Sequence, residues 1–273
     1  MNAGHIKRLY MQENMPVYTD VFIYVWYTGT KEENESMGDN YLLYLYAIPA
    51  ILMSLSFHEM AHAYTSYRLG DPTARNMGRL TINPLKHLDP LGTLMLLISM
   101  RSGFGFGWAK PVPINPTYYK NHKRGTILVS LAGPASNLLL AFVFSFPMAL
   151  IALNRGLTVN EIYNSSHILF YSDFSAQTVL FNICSFFYMI NIGLAVFNII
   201  PVPPLDGSKI LTAVLPEKYY FKMMRYENYI GMAFLALMLL RPGILSTIML
   251  PFRKAVEVVF LFLATPILGL FGR

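Results

Sequence analysis

The residues best suited to catalysis lie within one apolar stretch, where His58 and His62 enclose Glu59 in the pattern His-Glu-x-x-His. On an α-helix, residues four apart lie on nearly the same face, so both imidazoles can bind one metal ion. Glu59 can then accept a proton from a water molecule on that metal. Ionisable groups inside a membrane helix cost about 2.5 to 3.5 kcal/mol each, so this cluster indicates a shared function rather than helix packing.

A catalytic zinc ion has three protein ligands, so a third donor must come from elsewhere in the chain. Asp206 is the best candidate, because it follows a proline-rich break between two apolar stretches. The positive loops place that break and the two histidines near the same side of the membrane. The alternative is that Asp206 only caps the helix that begins there.

Composition places this cluster in a membrane protein. Hydrophobic residues make up 54% of the 273 residues and charged residues 13%, whereas soluble domains carry about a quarter charged residues. The net charge of +6 comes from basic residues between apolar stretches, which is typical of cytoplasmic loops and not of a nucleic-acid-binding protein. The single cysteine, Cys184, excludes an intrachain disulfide and a cysteine-based zinc site.

The apolar stretches predict an α-helical polytopic membrane protein, a bundle of about four to six transmembrane helices. The first helix is expected from Tyr41 to about Leu69, and further spans are expected at residues 125–153 and 174–200. The stretch 88–100 is too short to cross a bilayer and is expected to be re-entrant or interfacial.

Beyond residue 228 the sequence is apolar but interrupted, so one or two helical hairpin pieces are expected, broken at residues 241–243 and at Pro251. Two other stretches predict short membrane-associated β-strand or hairpin elements. Residues 16–28 are rich in β-branched and aromatic side chains, and residues 103–116 are rich in glycine and proline, which favours extended, hairpin-like chain. Residues 31–40 are polar and acidic, which is typical of a linker.

Together these motifs resemble those of the site-2 protease family of intramembrane zinc metalloproteases, in particular its compact microbial members without a PDZ or CBS domain. The similarity covers about residues 41–225 in the family's order. The matching stretches are His58–His62, Gly70–Thr73, Gly78–Thr93, Gly107–Pro116, Gly133–Asn137 and Asn198–Gly207. On this basis the chain divides into a strand-like segment and linker at 1–40, a metalloprotease core at 41–225 and hydrophobic helices at 226–273.

The resemblance implies hydrolysis of a peptide bond in or near the transmembrane segment of a membrane protein substrate. It implies Zn²⁺ as cofactor, with His58, His62 and Asp206 as ligands and Glu59 as base. Asn137 becomes a catalytic candidate, as a donor to the oxyanion, although a hydrogen bond between helices is a serious alternative. The expected location is the cell membrane, with the active site towards the cytoplasm and the bilayer and substrate as partners.

Two other functions fit the cluster. A transporter or metal-handling channel would also place histidine and glutamate along a membrane path, and a catalytically silent relative could act as a scaffold. For a protease, a helical substrate must unwind, and an extended edge at residues 107–116 or 78–83 could hold it as an added strand.

Overall fold

The structure is a computed structural model, and it describes residues 17–18, 22–26, 41–101, 104–163, 171 and 174–269. The predicted linker at 31–40 lies outside these residues. The described strands are β1 (Val17–Tyr18), β2 (Phe22–Trp26), β3 (Phe104–Trp108) and β4 (Pro113–Ile114). The described α-helices are α1 (Tyr41–Arg68), α2 (Thr73–Asn76), α3 (Pro90–Arg101), α4 (His122–Asn154), α5 (Val159–Tyr163), α6 (Ala176–Asn198), α7 (Asp206–Val214), α8 (Glu217–Leu240) and α9 (Pro242–Leu268).

The helix bounds follow local signals in the sequence. Helix α1 ends at Arg68, before Gly70, whose φ of 107° suits only glycine. Asn121 and Ser175 cap α4 and α6 through hydrogen bonds to the backbone N–H groups of Arg124 and Thr178. The helices predicted at 41–69, 125–153 and 174–200 are therefore confirmed to within a few residues.

Among the described residues, two helices are long and apolar enough to cross a bilayer, α4 and α6. The consecutive helices α8 and α9 meet at a bend of 100° and provide a third candidate. Helix α1 is about 42 Å long from its 28 residues, which exceeds the hydrocarbon core of about 30 Å, but its histidines and glutamate lower its hydropathy. The helical membrane fold is as predicted, whereas these candidates are fewer than the expected four to six.

The C-terminal helices correct one expected break. Helix α8 ends at Leu240 and α9 begins at Pro242, so the break at 241–243 is present. Pro251, by contrast, lies inside α9, where the helix continues through it. Proline is tolerated within membrane helices because neighbouring groups and small changes of the backbone satisfy the carbonyl that it leaves without a partner. The predicted boundary at residue 225 falls within α8.

The strands form two antiparallel pairs that join distant parts of the chain. Strand β2 pairs with β3 over five residues, with Phe22 opposite Trp108 and Trp26 opposite Phe104. Strand β1 pairs with β4, with Val17 opposite Ile114. The predicted strand near the N-terminus is confirmed. The hairpin-like arrangement expected for residues 103–116 is wrong, because β3 and β4 pair with the N-terminal strands rather than with each other.

The helices pack around two main apolar clusters. One cluster joins α4, α6 and α9 and includes Cys184, which is buried and free, as its apolar setting predicted. The other joins the first half of α1 to α6, α3 and the chain after β3, through residues such as Ile51, Leu96 and Ala109. Helix α1 packs against both α4 and α6.

Two glycines set the close approach of α3 to β3, which gives a test of this packing. A Cβ at residue 92 would overlap Trp108, and one at residue 107 would overlap Gly92 O and Leu96. We expect Gly92→Ala and Gly107→Ala each to lower the free energy of unfolding by about 1–3 kcal/mol, measured by thermal unfolding in detergent. Gly243→Ala, with open space around it, is the control, and equal midpoints for all three variants would contradict the packing.

Candidate active site

Three side chains from α1 and α7 meet at the centre of the bundle. The Nε2 atoms of His58 and His62 lie 2.9 Å apart, and each lies 3.1 Å from Oδ2 of Asp206. All three residues have no exposed surface. The structure therefore brings together the predicted metal ligands from stretches almost 150 residues apart in sequence.

The donor set fits a zinc ion. Two imidazole nitrogens and one carboxylate oxygen are its usual ligands, and bonds of about 2.0–2.2 Å place tetrahedral donors a little over 3 Å apart. The second carboxylate oxygen, Oδ1 of Asp206, is buried without a hydrogen-bond partner among the described residues. Gly133 of α4 faces the site, and a Cβ there would overlap the Nε2 atoms of both histidines. The helix thus keeps the space beside the donors clear.

Hydrogen bonds on the far side of each imidazole orient the donors. The Nδ1 atom of His62 donates to the carbonyl of Val129 at 2.7 Å, because a carbonyl can only accept. The Nδ1 atom of His58 lies 2.5 Å from Oδ1 of Asn137. With both protons on Nδ1, each Nε2 atom directs a lone pair towards Asp206, the form that binds a metal ion.

The orientation of Asn137 is fixed by a second asparagine. Asn191 donates through Nδ2 to the carbonyl of Phe187 at 2.8 Å, so its Oδ1 faces Asn137 and accepts from the Nδ2 of that residue at 2.7 Å. Asn137 Nδ2 also lies 3.3 Å from Ser54 O. The oxygen of Asn137 must then face His58. This pattern favours an orienting role for Asn137 over donation to an oxyanion, which would require Nδ2 to leave its partners.

Asn191 is a site residue that the sequence analysis missed. It is fully buried in α6, and its Nδ2 also donates to Ser54 Oγ on α1 at 2.8 Å. An asparagine inside an apolar helix was the available signal, but it does not distinguish a bond between helices from a role beside a metal. The contacts resolve that ambiguity by placing Asn191 two hydrogen bonds from His58.

Glu59 lies beside the metal ligands with one oxygen held and one free. Its Oε2 accepts from the backbone N–H of Val112 at 2.7 Å, and its Oε1 has no hydrogen-bond partner among the described residues. The side chain is fully buried. A carboxylate in this setting is suited to exchange a proton with a bound water molecule.

Hydrogen bonds hold the extended chain both before and after Val112. Arg79 donates through Nη2 to the carbonyls of Lys110 and Pro111, at 2.6 and 3.2 Å. Asp71, which is fully buried, accepts from the N–H of Asn115 at 2.8 Å through Oδ2. These contacts tie the loop after α1 to the extended chain that holds Glu59.

The other polar groups of this region serve local structure. His87 contacts Thr81 O at 2.8 Å through Nε2, and burial lowers the pKa of its imidazole. Asp89 accepts from the N–H of Gly92 at the start of α3. Neither belongs to the metal cluster, which agrees with their omission from the predicted site.

The position of Asp206 also decides between its two interpretations. Asp206 is the first residue of α7, and the capping position before it is Leu205, which makes no side-chain cap. Gly207 allows this turn to approach the end of α6, because a Cβ there would overlap the carbonyls of Ile199 and Ile200. The contacts of Asp206 with both histidines therefore favour metal binding over a capping role alone.

A helical membrane bundle with two histidines, an aspartate and a glutamate around one point has the architecture of a membrane metalloprotease. The model of Peptidase family M50 matches residues 46–240, which is most of the chain. The protein therefore belongs to Peptidase family M50, the site-2 protease family, and is a zinc metalloprotease of membranes.

Curated relatives agree with this assignment. The chain is 38% identical over 192 residues to "Putative zinc metalloprotease YwhC" of Bacillus subtilis, covering 70% of this chain and 79% of that protein. It is 30% identical over 204 residues to "Putative zinc metalloprotease Rip2" of Mycobacterium tuberculosis, covering 73% and 68%. A Rip2 of Mycolicibacterium smegmatis is 33% identical over 60% of this chain and 55% of its own length. No solved structure matches the chain significantly.

Gly133 provides a test of the metal site that leaves every ligand in place. Gly133→Ala puts a methyl group onto the Nε2 atoms of both histidines, so we expect the purified variant to lose most of its zinc, measured by atomic absorption. Gly243→Ala, which adds a methyl group in open space, is the control. Full zinc content in Gly133→Ala would contradict the donor geometry.

The asparagine pair provides a second test. Asn191→Ala removes the acceptor that orients Asn137, and loss of an outer partner of a metal ligand typically weakens metal binding about 10–100-fold. We expect a shift of this size in a zinc titration against a competing chelator. Asn182, also buried in α6, bonds only the backbone of Tyr171 in the contacts described, so Asn182→Ala is the matched control. Equal losses in both variants would show that any buried amide of α6 has this effect.

Proposed function

We propose that this protein hydrolyses a peptide bond in or near the transmembrane segment of a membrane protein. The observation that carries the proposal is the complete set of catalytic groups, three donors and one free carboxylate oxygen, fully buried between helices long enough to span a bilayer. A site in this position is available to substrates that also lie in the membrane. His58, His62 and Asp206 are the proposed ligands of the zinc ion.

The proposed chemistry assigns one role to each side chain. A zinc ion at this site supplies Lewis acidity, which lowers the pKa of a water molecule and polarises the substrate carbonyl. Glu59 accepts the proton of the attacking water on its free Oε1, while the N–H of Val112 holds Oε2 in place. Glu59 then gives that proton to the nitrogen of the departing amine. Asn137 keeps His58 oriented throughout.

The proposed partners are the bilayer and a substrate with a transmembrane segment. Large apolar side chains on the outer faces of α4 and α9 are exposed in the isolated chain, among them Leu139 at 64% and Phe262 at 77%. Such faces are stable when lipid covers them. A nucleic-acid partner is not proposed, because the positive charge of the loops suits anionic lipid headgroups.

The proposed location is the cell membrane, with the active site towards the cytoplasm. His62 lies near the end of α1 at Arg68, and the loop that follows carries further basic residues, including Arg75 and Arg79. Positive loops stay on the cytoplasmic side during insertion. This orientation puts the metal ligands nearer to the cytoplasmic face than to the opposite one.

Glu59→Gln tests the proposed reaction while keeping the size of the side chain. We expect cleavage of a single-span substrate in detergent to fall by at least about 100-fold, because glutamine cannot accept the proton. Zinc content should stay near that of the parent protein, since Glu59 is not a ligand. The measurements are product formation by mass spectrometry and zinc by atomic absorption.

The matched control is Glu161→Gln, at an exposed position of α5 where the carboxylate accepts from the N–H of Thr158, and it should leave both quantities unchanged. A transporter or metal-handling channel would need its metal path but not a general base, so full function in Glu59→Gln would reject the protease. Absence of any chelator-sensitive cleavage in the parent protein would favour a silent scaffold.

A further inference from the structure

The N-terminal strands β1 and β2 lie along the same extended chain that contacts the proposed base. Strand β2 pairs with residues 104–108, and β1 pairs with residues 113–114. These two pairings lie on either side of residues 109–112, and Val112 in that stretch donates its N–H to Glu59. The N-terminal strands therefore pair with this chain both before and after the residue that contacts Glu59.

The register shows which edge of this chain they cover. Pro113 has no N–H, so the Val17–Ile114 pair must be the one that exchanges both hydrogen bonds. The N–H and C=O of Ile114 then point towards β1. N–H groups two residues apart in extended chain point to the same edge, and the N–H of Val112 points to Glu59. Strand β1 and Glu59 therefore share one edge.

A substrate strand needs this edge. An extended peptide that is cleaved beside Glu59 gains its backbone hydrogen bonds by adding to an exposed strand. Residues 109–110 pair instead with the chain before α3, where Lys110 N donates to His87 O at 2.8 Å and Leu88 bridges to Ala109. Beside Val112, the edge that a substrate would use is covered by β1 at residues 113–114.

We propose that β1 and β2 form an autoinhibitory element, which occupies the substrate edge and must leave before a substrate strand can bind. This inference rests on the proposed function and concerns the regulation of the same site. The partner that displaces the element is the unwound, extended part of a transmembrane substrate.

The element can leave without disturbing the helices. Two-stranded pairings are only marginally stable by themselves in water, and β2 belongs to a sheet of two strands. Between Trp26 and Tyr41 the chain has 14 residues, which can extend to about 46–50 Å. Helix α1 and its ligands can therefore stay in place while β2 moves away.

A reversible cross-link tests this inference in the full chain. Tyr24 lies opposite Phe106, at a separation that suits a disulfide between cysteines. We expect Tyr24→Cys with Phe106→Cys, in a Cys184→Ala background, to form a disulfide on oxidation. Locking the strand lowers the fraction of competent enzyme, so cleavage of a labelled single-span peptide should fall by about tenfold or more and recover with reductant.

Each cysteine substitution alone, treated with the same oxidant, is the control and should keep its activity. Failure of the pair to cross-link, or equal cleavage by the locked and reduced forms, would overturn the inference.

Binding of the same peptide, followed by fluorescence anisotropy in the Glu59→Gln variant, separates the two proposals. Binding that is lost on locking, with no cleavage by any form of the enzyme, rejects the proposed function alone. Cleavage together with binding that locking leaves unchanged rejects this inference alone.

A proline substitution tests the opposite direction. Tyr24→Pro removes a backbone N–H from β2 and disfavours its pairing, so we expect faster cleavage than in the parent chain. Glu33→Pro, in the polar stretch 31–40 of the sequence, is the control for proline and should leave the rate unchanged. Slower cleavage in Tyr24→Pro, with zinc content retained, would indicate that β2 supports the active site instead of blocking it.

Discussion

The structure depends on the burial of three hydrogen-bond acceptors around one point inside the bundle. Carbonyl and amide oxygens accept the Nδ1 protons of His58 and His62, so both Nε2 lone pairs face the carboxylate of Asp206 within 3.1 Å. None of the three side chains reaches solvent. Acceptors this close repel one another, and a buried carboxylate requires a counter-charge. A cation at their centre satisfies all three, which explains why the donor set fits zinc.

The same constraint accounts for small residues where helices approach the metal site. Gly133 brings α4 against both imidazoles, and Gly207 brings the start of α7 against the end of α6. A larger side chain at either position would separate a ligand from the others. Helix packing in membranes commonly uses such residues for close contact. Here the close contact also sets the positions of the donors, so the packing of the bundle and the metal chemistry depend on the same glycines.

Sequence reasoning succeeded where a property is local. The spacing of His58 and His62 follows from one helix turn, and the bounds of α1, α4 and α6 follow from apolar stretches and their caps. Asn191 was missed because its role depends on a partner on α4, which no local pattern reveals. The pairing of β2 with β3 was missed for the same reason, since register across about 80 residues is set by the folded bundle. Pro251 was misjudged because membrane helices tolerate proline.

A fully buried centre must open to admit a peptide, and the position of the N-terminal strands bears on how this occurs. The family match begins at residue 46 and includes residues 104–114, but it excludes β1 and β2. The extended chain that contacts Glu59 thus belongs to the matched region, whereas the strands that pair with it lie outside that region. The proposed ligands and base also lie within the matched residues 46–240. The proposed contribution of β1 and β2 is to substrate access, which can change without any change in the residues proposed to perform hydrolysis.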